Sequence, residues 1–376
     1  TWEAAGRSPH GYAVYKANLF ALGLRNLSDA FNTNQGQCGN DGRRSELFFA
    51  GKPMMLGRHP NAGVDGTWHW LRQGAAVAKS TSKFFAYSNT PPNRCVDAGY
   101  PGCDQPWVNA SRLYVHGFWH FDWSDVYERV TIERASTSAG PNLIYSLDET
   151  PHYGLQPGSR YMVLNSLSIT DAPGEFFVDV LNGFVFFIPP EDSESWAEEE
   201  IVMSTGLDLV TLNGTRHVQF ENLVLEYVRR DGLAAVNVTD VHIANCTVAN
   251  TGANGISIEG QHSSFRASTV RDVGCSAVTV FGGDVQTLTP SGLVIDNNNI
   301  FRYGRISRSG SPGIGWGGVG VLVRSNEIHH APHTGIMHLG GTNAFGAELS
   351  PASANSLFAG NFLHDLCQGT SDAGAF

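Results

Sequence analysis

The chain has 376 residues, 43 of them glycine, with 24 Lys+Arg against 35 Asp+Glu. This length buries a sizeable core, and a composition of 16% charged and 11% aromatic residues excludes an intrinsically disordered chain. A net charge of −11 argues against nucleic acid or an anionic membrane as partner, and no apolar run approaches the ~20 residues of a membrane-spanning helix.

In chain order, residues 1–45 are expected to form the first coils or N-terminal cap of a repetitive fold that emerges further along. Thr1 opens the sequence without a signal peptide, as in a mature secreted product or a fragment. Residues 46–200 carry hairpin signals instead of repeats. ELFFAGKPMMLGRHPN (46–61) has a Gly-containing turn between apolar runs, and GEFFVDVLNGFVFFIPP (174–190) places Asn182-Gly183 between aromatic strands. This segment is read as an inserted antiparallel β-domain, with Trp119 and Trp123 of GFWHFDW in its core. The acidic stretch EDSESWAEEE (191–200) lacks the spaced carboxylates of a calcium loop and is read as solvated.

None of the six cysteines stands in a CxxC pair, which removes zinc ribbons and thioredoxin-like redox motifs. Cys95 and Cys103 bracket a short Gly/Pro loop and are expected to form a local disulfide, which places the protein in an oxidising compartment. Cys246 and Cys275 fall on neighbouring repeats at different positions and are expected not to pair with each other. The sequons at Asn26, Asn109, Asn213, Asn237 and Asn245 add glycosylation and secretion to the expectation.

From residue 201 the sequence repeats. One apolar column runs Leu225, Val248, Val270, Ile300, Ile328, Leu363, and a second runs Leu233, Ile256, Val278, Ile314, Ile336. The units are built from Val, Ile, Thr, Asn and Gly, which suit short strands and tight turns and disfavour helical solenoids. Asn298, Asn326 and Asn361 each lie two residues before the first column, where stacked asparagines hydrogen-bond from coil to coil. The fold class is therefore all-β: a right-handed parallel β-helix over 201–376, with an antiparallel domain inserted in the N-terminal half.

RSELFFAGKPMMLGRHPN, HGFWHFDWSDVYERV, DAPGEFFVDVLNGFVFFIPP and the terminal SDAGAF, in this order, resemble the secreted right-handed β-helix carbohydrate-active proteins near glycoside hydrolase family 141. The resemblance implies a polysaccharide or glycan as partner and places Asp372, in the DAGAF segment, in the active-site region. It also implies further polypeptide after Phe376, continuing or capping the last coil.

Coils stacked ~4.8 Å apart bring equivalent side chains together, so two carboxylates on nearby coils can reach the spacings used by glycosidases. The polar-rich segment supplies Glu327, His329, His330, His333, His338, Glu348, His364, Asp365 and Asp372. Asp372 is the first carboxylate, with Glu348 or Asp365 as partner; turn capping is the competing role for each aspartate. His333 and His338 are candidates to orient substrate, although His338 aligns with apolar Ile258 and Val280. His330 and Trp316 are candidate sugar contacts, core packing being the alternative for Trp316. Strand alternation predicts that His329 and His330 point to opposite faces. No HExxH-like spacing occurs, so neither a metal nor a cofactor is expected.

Together these residues point to a secreted β-helix glycoside hydrolase working through a carboxylate pair. A polysaccharide lyase is the alternative enzyme, for which Arg302, Arg305, Arg308 and Arg324 supply the positive charge. The alternative of another class is a non-catalytic structural or glycan-binding protein of an extracellular assembly.

Overall fold

The computed structural model describes all residues except 25–26, 28–43, 64–66, 77–83, 88–112, 138–139, 191–195, 343–347 and 350–351. The chain divides into two compact units, Thr1–Gly36 with Glu46–Val202, and Gln37–Ser45 with Met203–Phe376. Cys95, Cys103, Asn26 and Asn109 fall outside the described residues. No helix of the described residues is long and apolar enough to cross a membrane.

The two hairpin signals of the first unit form antiparallel pairs, Leu47–Phe49 with Lys52–Pro53 and the aromatic hairpin below, while Met55–Leu56 joins the latter in parallel. Glu175–Asp179 pairs with Phe184–Phe187, with Phe176 opposite Phe187 and Asp179 opposite Phe184. The turn is therefore the four residues 180–183, two longer than the Asn-Gly signal alone implies. Gly183 closes it at φ +73, where a Cβ would lie 2.4 Å from the Phe20 ring. The N-terminal strands Glu3–Arg7 and Ala13–Asn18 are not β-helix coils. They pair antiparallel with each other, and Ala13–Asn18 adds to Phe184–Phe187. A second, seven-stranded sheet includes Tyr114–Gly117, Val126–Thr137 and Arg160–Leu164. Its core holds Val115, Trp119, Tyr145, Tyr161 and Val163.

The second unit is a parallel β-helix of three strand columns. One contains Leu233–Ala244, Ile256–Gln261, Val278–Gly282, Ile314–Val319 and Ile336–His338. The next runs through Ser264–Arg266, Val294–Asp296, Leu322–Arg324 and Leu357–Ala359. The third is a six-stranded sheet of Val224–Val228, Thr247–Thr251, Thr269–Arg271, Asn299–Phe301, Glu327–His329 and Phe362–His364. Both apolar columns read from the sequence are reproduced rung by rung: Val248 pairs with Val270, Val270 with Ile300, Ile300 with Ile328 and Ile328 with Leu363. Ile256, Val278, Ile314 and Ile336 do the same on the first face. These residues form one continuous apolar core, all of them buried except the last rung, Leu363, which packs half-buried against it.

The corners explain why the coils stack. Asn222, Asn245, Ala267, Asn297, Ser325 and Gly360 succeed one another at the turn before the third sheet, all with positive φ between 48 and 64°. Tyr227, Asn250, Asp272, Arg302, His330 and Asp365 do so at the turn after it, between 50 and 64°. A single left-handed residue turns the chain sharply without disturbing the flanking strands, and Asn or Gly takes that conformation at least cost. Just inside the first of these corners runs the asparagine ladder. Asn298 Nδ2 donates to Asn326 Oδ1 and Asn326 Nδ2 to Asn361 Oδ1, both at 2.9 Å, while the backbone N–H groups of Asn298 and Asn326 donate to the same oxygens.

Cys275 is disulfide-bonded, whereas Cys246 and Cys367 are free thiols. Cys246 and Cys275 are thus not joined to each other, as their different column positions imply.

Candidate functional site

On the third sheet, the middle residue of each short strand points inward and its neighbours point out. Two outward columns follow. One ends Asn299, Glu327, Phe362, and the other ends Phe301, His329, His364. The left-handed corner supplies a third, Arg302, His330, Asp365.

The three columns meet at a cluster of histidines and carboxylates. The rings of Phe301 and His329 stack with centroids 4.9 Å apart and planes 12° apart, and those of His329 and His364 at 4.8 Å and 4°. These separations are the coil repeat itself. His364 lies between two carboxylates: its Nδ1 is 2.8 Å from Asp365 Oδ2, and its Nε2 is 3.3 Å from Glu327 Oε1. The hydrogen bond to Asp365 raises the His364 pKa, with Glu327 adding to it, and the same bond holds Asp365 below the usual carboxylate range. His329 is shifted down, first by burial and then by the neighbouring imidazoles of His330 and His364.

His329 and His330 do not diverge as strand alternation predicts. The strand ends at His329, and His330 turns at φ +52, bringing the two Nδ1 atoms to 2.6 Å. His330 Nε2 then lies 3.8 Å from Asp365 Oδ2.

Of the residues assigned a catalytic or sugar-binding role from the sequence, the structure brings Asp365 and His330 into this cluster, together with Glu327, His329 and His364 of the same polar-rich segment. Asp372 is exposed at φ +52 on the connection that follows, and the contacts described above do not include it. The backbone of Glu348 pairs in a two-stranded ribbon with Gly341–Thr342. His333 is buried, 6% exposed, with Nε2 facing the Gly310 N–H at 3.4 Å. Trp316 occupies the inward register of Val280 and packs against the core, with Phe358 4.8 Å and His338 5.0 Å from its ring. His338 continues that column but is exposed, and its Nε2 is 2.7 Å from Ser353 Oγ. Glu327, His329 and His364 complete the cluster. The signal that finds them is the register itself, since each lies one residue from an apolar rung.

The arginines near the coils are already engaged. Arg302 donates through Nε and Nη2 to Asp272, both at 2.6 Å, Arg305 Nε donates to the Asp272 carbonyl, and Arg324 pairs with Asp296 at 2.9 Å.

The first unit has its own concave surface of about 450 Å³, lined by Trp70, Phe118, His120, Asp122 and Arg160 among others. The Arg160 guanidinium lies over the Phe118 ring at 3.8 Å and is held by Asp122 at 2.6 Å. Trp119 is buried as expected, but Trp123 is only half-buried. It stacks on exposed Phe121 at 5.2 Å, with Tyr153 edge-on at 5.0 Å. The short loop carrying both rings leaves the sheet after Trp119, so Trp123 does not reach the core.

Residues 208–345 match the family described as a right-handed β-helix region. This gives the hand of the solenoid, and the second unit is a right-handed parallel β-helix. A solved structure described as a glycoside hydrolase is similar over 91% of this chain and 64% of its own, at 15% identity and a TM-score of 0.57. The chain thus spans under two thirds of that structure's length. Pectate lyase Pel9A is similar at 13% identity and a TM-score of 0.28, over 44% of this chain and 54% of its own. The catalytic domain of a GH87 alpha-1,3-glucanase is similar at 9% identity and a TM-score of 0.26, over 96% and 73%. No curated protein matches the chain in sequence. The likeness to the glycoside hydrolase structure supports the fold alone.

Proposed function

We propose that the chain is the β-helix portion of a secreted carbohydrate-active protein related to glycoside hydrolase family 141, and that it hydrolyses a polysaccharide on the outer face of the third sheet. The observation that carries this reading is the pair of carboxylates, Glu327 and Asp365, on neighbouring coils and held by opposite nitrogens of the single imidazole of His364. An imidazole ring and two hydrogen bonds separate them. That is wider than the ~5–5.5 Å of a retaining pair and matches an inverting one, with sugar and water approaching from the open face beside the imidazole.

Asp365, kept ionised by His364, is suited to take a proton from that water as it attacks the anomeric carbon. Glu327, when protonated, delivers a proton to the leaving oxygen. Phe362, 61% exposed beside His364 at 4.6 Å, offers a flat apolar surface to a sugar ring. A lyase would need unpaired cations to neutralise a uronate, and Arg302, Arg305 and Arg324 are already committed to protein oxygens. The aromatic surface of Phe121, Trp123 and Tyr153 in the first unit suits glycan binding. The Cys275 disulfide and exposed sequons at Asn213, Asn237 and Asn245 support secretion.

The test is digestion of a polysaccharide panel, with the anomeric form of the first product followed by NMR. Asp365→Asn and Glu327→Gln are each expected to lower turnover roughly 10²–10⁴-fold, with an inverted product. A larger loss in Asp372→Asn than in Asp365→Asn would move the chemistry to the terminal segment. Glycan binding without cleavage would leave the chain a binding protein.

A further inference from the structure

The histidine cluster is arranged for more than proton transfer. His329 Nε2 faces Asn299 Oδ1 at 3.0 Å, and a carbonyl oxygen only accepts, so Nε2 carries the His329 proton and its Nδ1 is a bare lone pair. His330 Nδ1 lies 2.6 Å from that lone pair and must be the donor, which leaves the His330 Nε2 lone pair free. On the adjacent coil, His364 Nε2 donates to Glu327 Oε1 at 3.3 Å, which orients the His364 Nδ1 toward Asp365. Each histidine thus has one nitrogen anchored by a partner behind it. In His330 and His364 the other nitrogen is directed to one place on the surface, while that of His329 holds His330.

His330, His364 and Asp365 meet there, one ligand atom of each lying within 4.8 Å of the others. Asp365 Oδ2 is 2.8 Å from His364 Nδ1 and 3.8 Å from His330 Nε2. Donors bound at ~2.0–2.1 Å around a tetrahedral ion lie between those two values, so small side-chain movements suffice. The His330 and His364 rings are 5.8 Å apart and 85° to each other, which lets in-plane lone pairs converge. By contrast, His329 and His364 are parallel and their lone pairs cannot meet at one ion, which rules against the neighbouring trio of Glu327, His329 and His364.

We propose that His330 Nε2, His364 Nδ1 and Asp365 Oδ2 bind one divalent transition-metal ion of the zinc and cobalt class, with the fourth position open to solvent. Two imidazoles and one carboxylate select such an ion over calcium or magnesium, which prefer oxygen donors. Glu327 and His329 are positioning residues that fix the tautomers of the two ligating rings, as carboxylates and carbonyls behind metal-binding histidines do. Binding displaces one proton, the one His364 Nδ1 shares with Asp365. This inference shares residues with the hydrolase reading but does not depend on it. An ion here occupies the Asp365 carboxylate, so metal is expected to suppress glycan cleavage and a chelator to restore it.

The experiment is titration of the chelator-treated chain with Co²⁺, followed by visible absorption, and with Zn²⁺ by calorimetry, with no glycan present. One equivalent is expected to bind, with the intense absorption of four-coordinate cobalt. His330→Ala and Asp365→Asn should each weaken binding at least ~10- to 100-fold, and Glu327→Gln roughly 10-fold while leaving the metal-free melting temperature unchanged. The surface pair His217 and His242, both held by Asp240, serves as control, and His217→Ala should leave binding intact. Absence of saturable binding, or binding insensitive to both His330→Ala and Asp365→Asn, overturns the proposal. Because the readout is the ion, metal binding without polysaccharide cleavage sinks only the hydrolase reading, and cleavage without metal binding sinks only this one.

Discussion

Replacing Asn326 by alanine is expected to destabilise the β-helix by about 4 kcal/mol. Asn326 is 1% exposed. Its Oδ1 accepts from both the backbone N–H and the side-chain amide of Asn298, and its Nδ2 donates to the Ile295 carbonyl and to Asn361. Truncation removes the acceptor of the buried Asn298 backbone N–H and one of the two acceptors of Asn298 Nδ2, which keeps the Phe265 carbonyl. It also takes a donor from the Ile295 carbonyl, at ~1–3 kcal/mol for each group left unsatisfied. No single replacement restores them, because only a planar amide offers acceptor and donor to adjacent coils at once. Urea denaturation followed by circular dichroism measures the loss. The matching control is Asn297→Ala, at the left-handed corner where Ala267 already stands at φ +48 one coil away; it should cost under ~1 kcal/mol. A loss in Asn326→Ala no greater than in the control would show that the ladder does not hold the coils together.

Asp231→Asn is expected to change the pH dependence of stability by about 3 kcal/mol. Asp231 is 5% exposed and accepts the Asn254 N–H at 2.9 Å, and burial raises its pKa from 3.8 to about 6, with Asp208 nearby adding to the rise. The folded state therefore holds the proton more tightly than the unfolded chain. The resulting stability is fully present below pH ~4 and is lost as pH rises through about 6. An asparagine keeps the acceptor for Asn254 and removes the titration. Wild type and variant should unfold alike at pH 4, and the variant should become progressively more stable than wild type toward pH 7.5. Parallel denaturation curves across that range would refute it.

Much of the solenoid is legible in the sequence because inward positions share one requirement. Every rung from Val248 to Leu363 must be apolar, so the column persists although the repeat varies from 22 to 35 residues. Asparagine at 298, 326 and 361 is legible for the same reason, since each rung satisfies the next. The site is not legible in this way. Its outward rungs answer to no common chemistry: Phe301, His329 and His364 form one stack from three unrelated reasons to be flat. The partners in a contact such as Glu327 and His364 are 37 residues apart, across a loop whose length nothing in the repeat fixes. The left-handed corner is the least legible part. It accepts Tyr227, Asn250, Asp272, Arg302, His330 and Asp365 in turn, so strand alternation run one residue too far turns His330 away from His329. The antiparallel unit was readable at its hairpins, whereas the place of Glu3–Asn18 beside Phe184–Phe187 depends on a pairing remote in sequence that no local signal announces.

The three-sided stacking has a mechanical consequence. All coil-to-coil hydrogen bonds run parallel to the solenoid axis, so tension along that axis loads them a few at a time, as in opening a zip. Force across the axis must instead shear whole strands past one another. Drawn out lengthwise, the protein should yield in small steps, each freeing one coil. For the 22-residue coil between Val248 and Val270 that step is a gain in contour length of about 75 Å, at ~3.3–3.6 Å of extended chain per residue. The coils with inserted loops should give longer steps at the same force, because the loops add length without adding rungs.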